Sequence, residues 1–324
     1  MVSMKDISSR CHVSVATVSK ALNNRGDISD ETKERICQVA KELGYLPNSS
    51  ARALKTNRTY NIGVLFVDKA NCGLTHSYFS HVLDSFRRGA EEEGYDITFI
   101  SQHAGKNKLS YYEHSKYRGV DGVVIACVDE AILELVNSEI PVVTIDYSFH
   151  NKSSILSDNV TGMEEIVQYV VSMGHRDIAY IHGADSGVTE HRLRSFYRTM
   201  KDLHVPVRDE WVREGVYHDP ESAARITNEL LTLSNRPTCI IYPDDFACVG
   251  GLNEIESQGL SVPDDISVVG YDGQRISQVI EPRLTTYKQN TEDLGRLAAR
   301  KLVEAIEEPK TSLTERLVVQ GGLI

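Results

Sequence analysis

From Ser14 to Asn23 the sequence SVATVSKALN gathers hydroxyls, one amide and one ammonium into a stretch of two to three helical turns. The short side chains of Thr17, Ser19 and Asn23 suit phosphate oxygens, and Val15, Ala16 and Lys20 are left to approach base edges. Catalytic chemistry has no comparable foothold. There is no G-x-x-x-x-G-K-[ST] loop, no G-x-G-x-x-G after the first strand-like burst, no H-E-x-x-H and no G-x-S-x-G. The six cysteines (Cys11, Cys37, Cys72, Cys127, Cys239, Cys248) are scattered without a C-x-x-C pair. They read as buried free thiols of a reducing cytosol, with no metal site and no cofactor.

The elements that position the polar stretch are three short helices. Met4–Cys11 turns Ile7 inward, and His12-Val13-Ser14 breaks the pattern. Ser14 is a good N-cap for Val15–Leu22, whose Val18 and Ala21 or Leu22 face a core. Asn23, Asn24 and Gly26 make a turn. Ser29 caps a third helix in which Asp30 and Glu31 complement the dipole, and Ile36, Val39, Ala40 and Leu43 recur at helical spacing before Gly44. This is the helix-turn-helix plan, with the second helix offered to the major groove. A plain three-helix bundle with a solvated face fits the same pattern. Pro47-Asn48 then stops the bundle and supplies a fresh N-cap. Ser49–Thr56 holds only about two helical turns, too few to persist in water without a partner.

Charge divides along the chain. Residues 1–58 carry ten Lys/Arg against six Asp/Glu, net +4, while the remaining 266 carry 25 against 40, net -15. A basic head on an acidic body is expected where only the head meets phosphate. No apolar run approaches the roughly 18 residues of a membrane span. The opening MVSMKDISSRCHVS has no signal-peptide character, so a cytoplasmic protein is expected.

From Tyr60 onward apolar bursts alternate with amphipathic stretches. The bursts are Ile62–Val67, Ile97–Ile100, Gly122–Cys127, Val142–Ile145, Ile178–Ile181, Cys239–Tyr242 and Ile266–Val269. The helical stretches are Tyr78–Glu93, Val160–Met173, Arg192–Leu203, Ser222–Leu233, Phe246–Gln258 and Thr291–Glu307. The expected fold class is α/β: an all-α head followed by a body of two doubly wound parallel-sheet lobes, with sites at the carboxyl ends of strands.

VSVATVSKALN, followed by ISDETKERI, ELGYLPN and ARALK, resembles the head and hinge of the LacI/GalR (lactose/galactose repressor) family. The phrases SYFSHVLDSFRRGAEEEGYDITF, MGHRDIAYIHG, PTCIIYPDD, VPDDISVVGYDG and PRLTTYKQN extend the likeness through the body, which resembles that family's periplasmic-binding-protein-like domain. The resemblance implies an allosteric repressor that binds a near-palindromic operator as a homodimer. It implies a hinge in which Asn48, Ala51, Leu54 and Lys55 meet DNA, with Leu54 wedged into the minor groove. It also implies a small-molecule effector held between the lobes by Tyr78, Phe79, Asp146, Arg192, Tyr217, Asp244 and Asp272. A sugar is the first candidate effector and a nucleoside or purine the second.

The implied division is a DNA-binding head over 1–47 and a hinge over 48–58. An N-terminal lobe follows over 59–158 and 288–313, and a C-terminal lobe over 159–287 and 314–324. Lobe crossings are then expected near Ser157–Asn159, Tyr287–Gln289 and Leu313–Glu315. GGLI at the C-terminus offers no leucine-heptad tail, which favours a dimer over a tetramer.

Two departures stand out. Lys20 occupies a position where many members carry Arg, and an ammonium cannot make the bidentate fork to guanine. His12 sits where the turn often has Gly. Plainer roles also exist in the body: Asp244 or Asp245 as a helix cap, Asp272 as a turn residue, Arg192 in a surface ion pair, and Tyr78 and Phe79 as core. Three other readings of the whole chain are a solute-binding protein without DNA function, an enzyme on the same scaffold, and a regulator answering to a protein partner.

Overall fold

The computed structural model describes residues 2–22, 28–46, 53, 58–67, 73–104, 106–126 and 130–324. Asn23, Asn48, Ala51, Leu54, Lys55, Cys72 and Cys127 lie outside the described residues, as does the helix expected over Ser49–Thr56 apart from Ala53. The chain divides into two units, Met1–Thr59 and Tyr60–Ile324.

The first unit contains α1 (Met4–Cys11), α2 (Val15–Leu22) and α3 (Asp30–Glu42). One inward residue per turn builds its small core: Ile7, Cys11, Val18, Ala21, Ile36 and Ala40 are all buried. Ser29 caps α3 by accepting from the Thr32 amide, and Gly44 leaves the helix at φ 67°. Cys37 is exposed on α3, so the expectation that every thiol is buried fails there.

The second unit holds two sheets, each six-stranded among the described residues. The first sheet contains β1 (Asn61–Phe66), β2 (Asp96–Ile100), β5 (Gly122–Ala126), β6 (Val142–Ile145), β7 (Ser153–Ser157) and β13 (Arg316–Val319). A two-stranded ribbon, β3 (His103–Ala104) with β4 (Asn107–Lys108), stands beside it. The order β13-β7-β6-β5-β1-β2 is parallel throughout. The second sheet runs β14-β12-β11-β10-β8-β9. Its strands are β8 (Ile178–His182), β9 (Val212–Glu214), β10 (Cys239–Ile241), β11 (Ser267–Asp272), β12 (Thr285–Lys288) and β14 (Gly322–Leu323). Only the edge strand β14 is antiparallel, against β12.

Each sheet carries apolar cores on both faces, as a doubly wound layer requires. In the first lobe, α4 (Ser77–Glu92) and α11 (Thr291–Glu307) cover one face, and α5 (Tyr111–Arg118) and α6 (Leu133–Val136) the other. In the second, α7 (Asn159–Ser172) and α8 (Gly187–Asp202) cover one face, and α9 (Pro220–Leu231) and α10 (Asp245–Ser257) the other. The chain passes between lobes from β7 to α7, from β12 to α11, and from β13 to β14.

The third passage corrects the boundary expected near Leu313–Glu315. Arg316–Val319 pairs in parallel with β7 and belongs to the first lobe, so the chain crosses at Gln320–Gly321. The short burst LVV sits on a sheet edge and is half exposed, so its pattern alone does not say which sheet it joins. Helix α8 also starts earlier than expected: it begins at Gly187, capped by Ser186, which accepts from the Thr189 amide.

Candidate functional site

In the first unit, α2 presents one face outward. Ser14 accepts a hydrogen bond from the Thr17 amide at 3.0 Å, and the two hydroxyls meet at 2.8 Å. Val18 and Ala21 turn inward and are buried. Ser14, Val15, Ala16 and Lys20 are left exposed, with Thr17 and Ser19 half-buried. Val15 is 41% exposed. His12 closes α1 in the left-handed conformation, φ 52°, where a β-carbon costs energy that glycine avoids. The Ser8 hydroxyl helps hold this corner by donating to the Val13 carbonyl at 2.6 Å.

In the second unit the two lobes enclose a cavity of about 330 Å³. All seven residues expected at a ligand site line it: Tyr78, Phe79, Asp146, Arg192, Tyr217, Asp244 and Asp272. Most come from the carboxyl end of a strand or the start of a helix, while Arg192 lies in the second turn of α8 and Tyr217 in the loop between β9 and α9. Asp146 directly follows β6, Asp272 ends β11, and Asp244 caps α10 by accepting from the Ala247 amide at 2.8 Å. The capping role and the cleft position therefore coincide in one carboxylate. Tyr78 likewise does two things. It is 6% exposed in the core of the first lobe, and its hydroxyl donates to Asp146 at 2.6 Å.

Arg192 is not a surface ion-pair partner. It is 4% exposed; its Nε donates to Asn159 Oδ1 at 2.7 Å and its Nη1 to the Pro243 carbonyl at 3.0 Å. The guanidinium lies 3.5 Å over the Tyr271 ring, and Nη2 faces Asp272 at 4.0 Å. A buried charge is tolerable only when so surrounded. Tyr217 packs its ring against Gly183, where a β-carbon would come within 2.0 Å of it, and its hydroxyl meets Thr189 at 2.9 Å.

Backbone strain is present at and beside the cavity. Asp146, His218 and Asp272 all adopt positive φ, at 60°, 61° and 97°. Left-handed conformations cost a non-glycine residue about 1–3 kcal/mol and cluster at functional sites. The electrostatics are strained as well. Burial, with Asp272 alongside, pushes the Asp244 carboxyl up to about 7, although the Ala247 and His218 amides oppose the shift. Burial also raises Asp146, against the opposing hydrogen bonds from Tyr78 and Ser157.

Several residues were not anticipated. Gln289 lines the cavity and donates to Asp272 at 2.7 Å, with Gln274 donating to the other oxygen at 3.2 Å. His76, also on the lining, stacks on His218. Gln289 lies within the crossing expected near Tyr287–Gln289, which is a usable signal. The two histidines sit in loops without periodicity and gave none.

Residues 3–48 match the sequence profile described as bacterial regulatory proteins, lacI family, and residues 167–324 match the periplasmic binding protein-like domain. The chain is 33% identical to the probable HTH-type transcriptional repressor ExuR of Bacillus subtilis (strain 168), covering 96% of this chain and 93% of that protein. The chain belongs to the LacI family. It is accordingly a DNA-binding transcriptional regulator with the family's helix-turn-helix head and two-lobed body. A second LacI-family relative, the repressor PurR of Serratia proteamaculans (strain 568), is 31% identical over 94% of this chain and 91% of its own. Among solved structures, the lac repressor dimer bound to operator and the anti-inducer ONPF is 25% identical with a TM-score of 0.82, covering 100% of this chain and 97% of that one. The regulator CelR in complex with cellobiose shares the fold at 24% identity and a TM-score of 0.72, covering 100% and 98%.

Proposed function

We propose that this LacI-family protein is a homodimeric repressor of a near-palindromic operator, and that a small polyhydroxylated ligand, a sugar, bound between its lobes sets its affinity for DNA. The observation that carries the reading is the meeting of Tyr78, Asp146, Arg192, Tyr217, Asp244 and Asp272 from two lobes around one cavity. Hydroxyl groups match that lining: carboxylates accept from them, the guanidinium donates to them, and an aromatic face packs on sugar C–H bonds. The solved complexes support the choice, one relative being a dimer on its operator and another holding cellobiose.

On this reading Val15, Ala16 and Lys20 meet base edges, while Ser14, Thr17, Ser19 and Asn23 fix the head on phosphates. Asn48, Ala51 and Lys55 extend the contact, and Leu54 wedges into the minor groove. The ligand favours one angle between lobes and so changes the spacing of the hinge segments. For that to matter, the ligand must bind one lobe arrangement better than the other; a coupling of about 1–3 kcal/mol is typical.

The test uses a duplex selected from a random pool by the full-length protein. Its affinity should fall steeply with salt, by about 0.9 log units per log unit of salt for each phosphate neutralised. Leu54→Ala should weaken the selected duplex more than an unrelated one. Failure to enrich any sequence, or a flat salt dependence, rejects the DNA-binding half of the proposal.

A further inference from the structure

The polar lining of the cleft is unbalanced. Asp146, Asp244 and Asp272 bring three carboxylates to the cavity, and Asp185 stands exposed at its edge. Among the described residues of the lining, Arg192 is the one Lys or Arg. Two of its five N–H donors are committed, Nε to Asn159 and one on Nη1 to the Pro243 carbonyl, and one face is covered by Tyr271. Nη2 faces Asp272 at 4.0 Å.

Acceptors are in the opposite condition. Each of the three carboxylates receives protein donors, yet a carboxylate has about four lone-pair sites and keeps some to spare. Gln289, 5% exposed and on the lining, spends its amide nitrogen on Asp272 and leaves its buried Oε1 without a hydrogen-bond partner. A buried acceptor left unmet is costly. The bound molecule is the natural source of the missing donor. The cavity thus asks for hydrogen-bond donors and sets a single Lys or Arg against three carboxyl groups.

Resting on the reading of the cleft as the effector site, we infer that it selects an uncharged polyol and discriminates by charge against the carboxylated and phosphorylated counterparts of the same sugar. A carboxylate in the cavity would face three carboxyl groups and a single guanidinium within a desolvated site, where Coulomb terms are weakly screened. A hydroxyl in the same place donates to those carboxylates at no such cost. The upward shift of Asp244 has the same origin, since burial beside Asp272 already makes further negative charge unwelcome.

The experiment is calorimetry and thermal shift on the full-length protein with D-glucose, D-galactose and cellobiose, set beside D-glucuronate, D-galacturonate and a hexose phosphate. At least one neutral sugar should bind, with its charged counterpart more than tenfold weaker. Asp244→Asn keeps a helix-capping side chain at that position and should narrow the ratio several-fold. A uronate or hexose phosphate that binds as tightly as the neutral sugar overturns the charge inference while leaving the cleft as a ligand site. If none of the compounds binds, the effector-site reading and the inference fall together.

Discussion

His76 and His218 stack face to face, with ring centroids 4.1 Å apart and planes 15° from parallel, one imidazole from each lobe of the body. The column continues on both sides: Phe79 meets His76 edge-on at 5.0 Å, and Phe246 lies flat against His218 at 4.5 Å. These rings join the lobes beside the cavity, and their contact exists only when the lobes stand at this separation. Aromatic pairs contribute about 0.5–1.5 kcal/mol beyond their burial. His218→Ala should therefore weaken the cleft ligand roughly two- to tenfold by calorimetry, and His218→Phe should restore most of the loss. Equal affinity in the alanine variant would remove the stack from any part in closure.

Gly183 is not on the cavity lining, yet it decides where Tyr217 lies. A β-carbon there falls 2.0–2.3 Å from three ring atoms of Tyr217, far inside van der Waals contact. Gly183→Ala should displace the ring and lower ligand affinity at least tenfold, with the operator still bound. Tyr217→Ala should do the same. Near-normal ligand binding by either variant would show that the ring is not part of the recognition surface.

Asp245 lies beneath the cleft and is fully buried, accepting from the Gln274 amide at 2.6 Å. Burial pushes its carboxyl up to about 8, against an opposing hydrogen bond from Thr286. A raised acid contributes stability that is complete below the unfolded carboxylate's pKa, near 4, and is lost as pH rises through about 8. In urea unfolding, Asp245→Asn should gain on the parent as pH rises from about 4 to about 8 and level off above that. A constant difference across that range contradicts the buried, proton-holding carboxyl.

Much of this was legible in the sequence, for reasons specific to each element. Helix α2 declares itself through the Ser14 cap and the inward pair Val18 and Ala21, and β1 and β5 through unbroken apolar runs that only a sheet covered on both faces allows. Strands β7 (SSILS), β9 (VRE) and β12 (TTYK) carry little apolar pattern, and the burst in β13 (RLVV) is short and half exposed. Their partners make them strands, which is why the third lobe crossing was misplaced. Helix α5 (YYEHSKYR) has no apolar stripe, although Ser110 and Glu113 form a capping box at its start. The seven expected cleft residues came from family motifs. Gln289 matters through its bond to Asp272 at the end of the neighbouring strand, and His76 and His218 through a contact between lobes; no local pattern encodes either.

The decisive measurement is operator affinity by fluorescence anisotropy, with and without a ligand that calorimetry places in the cleft, for the parent and for Asp272→Asn. The ligand should shift the parent's operator affinity about 5- to 150-fold, the range of ordinary allosteric coupling. The variant should hold the operator normally and fail to respond. An operator affinity unmoved by a saturating cleft ligand would contradict control of the head by the body.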